Sequence, residues 1–342
     1  MMGSFIAELY SEIDKLRAQL LHNVELMSDR QWMIEEISDR EILTRIENVI
    51  LGIVTSLSKD EAPVLALPNR SSWANISFDS AVGLQMSSGS SVTTIRSDCS
   101  SSITKFAQIL KILAAIYRLV QSNSYSTKRD IYYNNPQLFV SQRTVDSIVD
   151  DISCMLKVPR RSLHVLASSK GLISGDLSYL EEDGTRVDCR SSSAGKGMPD
   201  VNSRLMVRKL WDTLHIPIFA LVDADPHGME IMCVYKYGSV AMSFEAHSLT
   251  VPSVMWLGLL PSDLQRLRVP EDALIPLTKR DQSKLNSLLE RPYLSSQSDW
   301  QKEMELMQQS KVKAEIQSLD AIAPDFLTSI YLPNKLRYGG WV

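Results

Sequence analysis

The chain has 342 residues, of which 44% are hydrophobic and 22% charged, with a formal net charge of -4. That length accommodates two or three domains with sizeable cores, and the composition is that of an ordinary soluble globular protein. No apolar run approaches the ~18 residues of a membrane span, so neither a span nor a signal peptide is expected, and the mild acidity confines any DNA-binding surface to a local basic patch. Cys99, Cys154, Cys189 and Cys233 lie far apart with no CxxC pair. That spacing argues against a zinc site or a disulfide scaffold and for a reducing compartment, cytosolic or nuclear.

Residues 5–20 place Phe5, Ile6, Leu9, Ile13, Leu16 and Leu20 at spacings of three and four, which predicts an amphipathic helix. A second such stretch runs from Ile42 to Leu57. Such stripes either pack on the body of the protein or dock a partner in a groove, and residues 1–60 read as a partner-docking region. Pro63, Pro68 and Ser71-Ser72 break the pattern, and 87–102 is rich in Ser and Thr, so 61–103 reads as a linker or loop.

Helix returns with Phe106, Ile109, Leu110, Leu113, Ile116, Tyr117 and Val120. Thr127 stands three residues before Asp130, the spacing of a helix cap, so Lys128-Arg129-Asp130-Ile131-Tyr132-Tyr133 opens a helix that Pro136 ends. A tyrosine hydroxyl titrates near pH ~10, so it attacks a phosphodiester at neutral pH only when something lowers its pKa, takes its proton or orients it. Arg129 can stabilise charge developing on the phosphate oxygens. Paired tyrosines equally well fill a core. From Thr144 another helix carries Val145, Ile148, Val149, Ile152, Met155 and Leu156 inward, and after Pro159 a short basic helix, Arg160 to Lys170, stops at Gly171. Leu177 to Leu180, a Glu181-Glu182-Asp183-Gly184 turn and Thr185 to Val187 then form a hairpin signature. Two helices, a short basic helix and a hairpin describe a winged helix-turn-helix over 104–190. Between Thr127 and Leu172 seven basic residues stand against four acidic ones, a net +3 in an acidic chain, which suits either a DNA groove or a solvated face.

Ile216 to Gly228 reads IPIFALVDADPHG. The apolar run looks like a buried parallel strand, with Asp223 and Asp225 at its carboxyl end, where α/β sheets place their chemistry. Alternation puts both carboxylates on one side, so they can share a hard cation such as Mg²⁺. A DxD alone is common to glycosyltransferases, phosphatases and loops, whereas one that ends a strand and precedes a turn and helix points to a metal-dependent phosphoryl or phosphodiester site. Val251 to Leu260 reads as another strand, helices follow at 281–291 and 300–318, and Lys279-Arg280, Lys284, Lys335 and Arg337 read as solvated surface. No GxxxxGK[ST] loop occurs, so any nucleotide dependence would come from a partner.

RDIYY, SSKGLISGDL, GKGMPD, LVDADPHGMEI, WLGLLPSDL and LPNKLRYGGW resemble the topoisomerase VI A-type family, and most closely its animal members that make meiotic double-strand breaks. The resemblance runs from about residue 40 to the carboxyl terminus. It implies an α/β chain, α+β overall, in which the winged helix carries a nucleophilic tyrosine and a Toprim domain, 191–342, holds the metal. Tyr133 falls on the nucleophile's position, Arg129 on that of an arginine near the attacked phosphate, and Lys170 on that of a basic residue that contacts DNA. Asp223 and Asp225 match two Toprim ligands for Mg²⁺. Arg160 and Arg161 join Lys170 as expected DNA contacts. The implied partners are double-stranded DNA, a second copy of the chain and a topoisomerase VI B-like protein docked near Ile42 to Leu57, in the nucleus and with no membrane. The implied reaction is transesterification that leaves a 5′-phosphotyrosyl link and a free 3′-hydroxyl.

The pattern is broken at one place. The family's Toprim domain begins with a strand ending in a glutamate ligand, then a helix and a strand; here Cys189 to Ala194 leads directly into Gly195-Lys196-Gly197. The first strand-helix-strand is missing, and with it one carboxylate. Two alternatives to a cleaving enzyme therefore stand beside it: a non-catalytic short form that binds DNA or the B-like partner, and a phosphatase-like hydrolase built on the DxD.

Overall fold

The computed structural model describes residues 37–87, 89–166, 175–180, 186–189 and 200–342. The stretch 5–20, Lys170, the Glu181-Glu182 turn and the loop at 195–199 lie outside the described residues. The chain is of the α/β class, with two hydrophobic cores, one built from residues 42–165 and one from the carboxyl-terminal part.

The amino-terminal core begins with α1, Asp39–Ser58, where the Ser38 hydroxyl accepts the Glu41 amide and Ile42 and Ile46 are buried. Arg45 donates to the carbonyls of Leu156 and Lys157, tying α1 to the helix that ends there. Beyond Ile46 the apolar stripe turns outward: Leu51, Val54 and Leu57 are each more than half exposed.

Residues 61–103 are not a linker. β1, Val64–Pro68, pairs antiparallel with β4, Val92–Arg96, and the alternate residues Leu65 and Leu67 enter the amino-terminal core. Between them β2, Ile76–Asp79, and β3, Gly83–Met86, form a hairpin that packs on the other core. Leu84 is buried there, and Phe78 meets Tyr237 edge-on at 5.6 Å. Gly83 has φ 97°, and a Cβ on it would lie 2.4 Å from the Tyr237 carbonyl oxygen, so this close approach requires glycine. The Ser/Thr content hides short strands whose period-2 burial is carried by one or two residues each.

α2, Ile103–Gln121, buries Ile109, Ile112, Leu113 and Ile116. It is followed by β5, Ser126–Thr127, α3, Lys128–Asn134, a one-turn helix Pro136–Phe139, and α4, Gln142–Leu156. The described part of the expected basic helix from Arg160 to Lys170 is instead a 3₁₀ turn, Arg160–Leu163. His164 ends it with φ 55°, and β6, Val165–Leu166, runs parallel to β5. β7, Ser178–Leu180, and β8, Arg186–Asp188, form the antiparallel hairpin expected from the sequence.

In the carboxyl-terminal part α5, Val201–Leu214, precedes β9, Phe219–Leu221; α6, Pro226–Tyr237, then leads to β10, Met255–Gly258, parallel to β9. α7, Lys279–Leu289, α8, Ser298–Ser310, and α9, Leu332–Tyr338, pack around Trp256, Tyr293, Trp300 and Met304. Lys335 and Lys284 are not free surface charges. Lys335 is 4% exposed and 2.9 Å from the buried Asp263, which also accepts the Tyr331 hydroxyl, while Lys284 pairs with Glu230 at 2.6 Å. A buried carboxylate needs such partners, and that need draws the lysine stems inward.

Candidate active site

α3 is capped reciprocally. The Thr127 hydroxyl accepts the Asp130 amide at 3.1 Å and the Asp130 carboxylate accepts the Thr127 amide at 3.0 Å, so two orphan donors of the first turn are satisfied. Those bonds to Thr127 hold the Asp130 carboxyl below its usual range. Ile131 enters the core and Tyr132 packs half-buried beside it, while Tyr133 is 66% exposed. The two rings meet at 5.3 Å. Arg129, also exposed, precedes Tyr133 by four residues, so both occupy one outward face, one turn apart. The tyrosine pair is thus split between the two roles its sequence allowed: one fills the core and one is presented to solvent.

The expected DNA contacts separate. Arg161 is exposed, but Arg160 is 7% exposed and its guanidinium lies 3.4 Å from Asp150, so it is an internal tie. Arg143, at the start of α4, is exposed.

The two acidic residues lie together, each fixed by backbone. Val222 donates to the Gly258 carbonyl and accepts from Leu259, which holds the end of β9 against β10. Asp223 Oδ1 then accepts the Ile316 amide at 2.8 Å, and Ala224 bridges Ala314. Asp225 caps α6, its Oδ1 accepting the Gly228 amide. Both residues are half-buried, and the second oxygen of each carries no hydrogen bond among the described residues. No group of three or more His, Cys, Asp or Glu that could hold a metal occurs among the described residues. Two hard carboxylate oxygens still suit Mg²⁺, which keeps several waters and takes one or two carboxylates plus substrate phosphates.

Beside this loop lie basic residues that the sequence presents as plain surface. His227 is exposed, with Nε2 3.8 Å from Asp281, and Lys279 and Arg280 are exposed on the first turn of the same α7. The signal of Lys279 and Arg280 is proximity in the fold, through the His227–Asp281 approach, since about fifty residues of chain separate them from the DxD. The Tyr133 pair and the Asp pair belong to different cores.

In the amino-terminal part α1 and α2 flank an apolar groove of about 650 Å³, lined by Ile46, Ile50, Leu51, Val54, Leu113 and Tyr117. No helix among the described residues is long and apolar enough to cross a membrane.

Residues 104–165 match the family model of type IIB DNA topoisomerases, which fixes the class to which this tyrosine-bearing unit is similar. Residues 193–336 match the model for the Toprim domain of the topoisomerase 6 A-type chain and Spo11. The chain is 51% identical to the meiotic recombination protein SPO11 of Mus musculus over 98% of each chain, and 54% identical to that of Homo sapiens over 89% of each. The A-type chain of DNA topoisomerase 6 from Arabidopsis thaliana is 31% identical over 88% of this chain and 81% of its own. The chain belongs to the topoisomerase VI A/Spo11 family, among its meiotic recombination proteins.

Proposed function

We propose that this protein is the DNA-cleaving transesterase that opens meiotic recombination, with Tyr133 as nucleophile. The observation that carries the assignment is the outward Arg129–Tyr133 pair on a capped helix whose other tyrosine is packed away. The Tyr133 oxygen attacks a backbone phosphorus, the bond to the 3′-oxygen breaks, and a 5′-phosphotyrosyl link remains. The phenol proton leaves to solvent and the departing 3′-oxygen takes one up. Arg129 donates to the phosphate oxygens as negative charge builds on them. Two copies acting on opposite strands give a staggered double-strand break, Tyr133 of each facing the Asp223 and Asp225 of the other. When bound by those carboxylates, Mg²⁺ supplies Lewis-acid polarisation of the phosphate.

The unit from α2 to β8 works as the winged helix-turn-helix. Arg161 and Arg143, Lys170 of the neighbouring segment, and Lys279 and Arg280 beside the Asp loop contact phosphates of double-stranded DNA. The groove between α1 and α2 receives an apolar helix of the B-like partner, and the protein acts in the nucleus. The 51% identity to the mouse relative favours an enzyme over a non-catalytic short form. The match to that relative spans 387 positions against a chain of 342 residues, so the relative carries several tens of residues opposite gaps. Gaps of that size agree with a Toprim domain lacking its first strand-helix-strand, and in this reading the site works with two carboxylates.

The test is covalent capture of DNA by the dimer with Mg²⁺ and its B-like partner. Tyr133→Phe abolishes the adduct, whereas Tyr132→Phe, losing a hydroxyl from a packed ring, retains it. An adduct persisting in Tyr133→Phe removes the assignment.

A further inference from the structure

α3 has seven residues, too few to hold its own conformation in water, so its orientation is imposed by its surroundings. At 100° per residue Lys128, Ile131 and Tyr132 fall on one side of it, and Arg129 and Tyr133 point away. Ile131 is one inward anchor. Lys128 is the other: its side chain is 12% exposed, with Nζ 3.4 Å from Asp146 and 3.9 Å from Asp150 on α4. Burial draws the Lys128 pKa down, and the two carboxylates oppose that shift.

Asp150 is shared. Arg160 Nη1 approaches its Oδ1 at 3.4 Å, and Arg70 Nη1 approaches its Oδ2 at 3.9 Å. Both arginines also reach the carboxyl-terminal body. The Arg160 amide donates to Glu245 Oε2 at 3.1 Å, and Arg70 Nη1 donates to the Ala241 carbonyl at 3.5 Å. Glu245 is 1% exposed, and burial pushes its carboxyl above the usual range. A continuous set of contacts therefore runs from the body that carries the Asp pair to the first turn of the tyrosine helix.

We propose that Lys128 is a positioning residue for the transesterification: through Asp146 and Asp150 it sets the rotation of α3, and through Asp150, Arg160 and Glu245 that rotation is tied to the seating of the carboxyl-terminal body. The inference rests on Tyr133 as nucleophile. Lys128 is too buried to act as a phosphate contact, and that separates the two roles. A binding cation sets DNA affinity and its salt slope, whereas a positioning cation sets the yield of the reaction once DNA is bound.

The experiment uses the full chain with its B-like partner and compares Lys128→Met, which keeps the aliphatic stem, with Lys128→Arg and Glu245→Gln. DNA affinity, adduct yield and hydrogen exchange across residues 128–134 are measured. Lys128→Met is expected to bind DNA within about twofold of the parent while adduct yield falls by about tenfold or more, because small displacements of a reacting group are costly. Lys128→Arg recovers most of that yield, and Glu245→Gln speeds exchange in 128–134 without touching α3. Parental adduct yield and parental exchange in Lys128→Met overturn the proposal, as does a loss of DNA affinity that matches the loss of adduct. Exchange decides the question even where no adduct forms, and a Tyr133→Phe that still forms adduct removes the nucleophile assignment while leaving that exchange result standing. Should Lys128→Met fail to fold, Asp146→Asn loosens the same grip from a partly exposed position and is read in the same way.

Discussion

Gly228 sits against Asp223 so closely that a Cβ on it would lie 2.5 Å from the Asp223 carbonyl oxygen and 3.2 Å from Asp225 Oδ1. The glycine is thus a requirement of space, set by the turn that folds the DxD back over the first turn of α6. Gly228→Ala must move backbone rather than a flexible side chain, so we expect a loss of about 1–3 kcal/mol in unfolding free energy. Mg²⁺-dependent cleavage should fall further than stability does, because the displaced atoms belong to the carboxylate loop. Denaturant unfolding beside adduct yield checks both.

Asp225 has two tasks that one substitution separates. Its side chain caps α6, and asparagine caps a helix about as well as aspartate. Asp225→Asn should therefore keep thermal stability within about 0.5 kcal/mol of the parent while removing a charged donor for the cation. Mg²⁺ titration of cleavage, with melting curves of the same samples, is the measurement. A variant that melts early and cleaves normally would reverse the assignment of roles.

Val140 joins the one-turn helix Pro136–Phe139 to Ser141, the cap of α4, with φ 61° and ψ -42°. The Ser141 amide donates to the Phe139 carbonyl across it at 2.6 Å, which makes a strained three-residue turn centred on a β-branched residue. Val140 is 78% exposed, so little packing is lost with its side chain. Val140→Gly should raise stability by about 1 kcal/mol, the relief of an unfavourable backbone outweighing the added freedom of the unfolded chain. A rise in Tm with unchanged DNA affinity is expected.

Asp281 is 3% exposed and receives Lys313 at 2.9 Å and the Thr278 amide and hydroxyl. Burial pushes its carboxyl up, but the bonds from Lys313 and Thr278 outweigh it and bring the pKa down to about 2. A carboxyl held lower in the folded than in the unfolded chain stabilises fully above the ordinary value near ~4, and that contribution shrinks as pH falls from there toward about 2. The stability difference between the parent and Asp281→Asn should therefore be constant at neutral pH and narrow between about pH 4 and 2. Urea unfolding of both across that range tests it.

Much of the site is legible in the residues alone. The Thr127–Asp130 cap is a local signal and forms as its spacing predicts, and the strand ending at the DxD announces itself as an apolar run. Without the family resemblance the sequence does not rank Tyr132 and Tyr133, since both positions carry the same ring; burial of Ile131 and Lys128 decides which one faces out. Arg160 and Lys335 read as exposed because charge is the only thing their local sequence displays. Their partners, Glu245 and Asp150 for the first and Asp263 for the second, lie far along the chain or across the fold, and a buried ion pair leaves no periodic trace. β1 and β4 escape notice for a similar reason: their pairing spans an excursion that carries its own hairpin.

That excursion has a consequence for anyone who would cut this protein into pieces. The chain leaves the amino-terminal core after Pro68, lends Leu84 and Phe78 to the carboxyl-terminal core, and returns at Val92. A fragment starting at Val201 would thus lack a wall of its own interior, and a fragment stopping at Leu166 would carry that wall with nothing to rest on. The fragment stopping at Leu166 keeps all the buried residues of its own core, whereas a soluble excised Toprim piece would need the β2–β3 ribbon grafted back onto it.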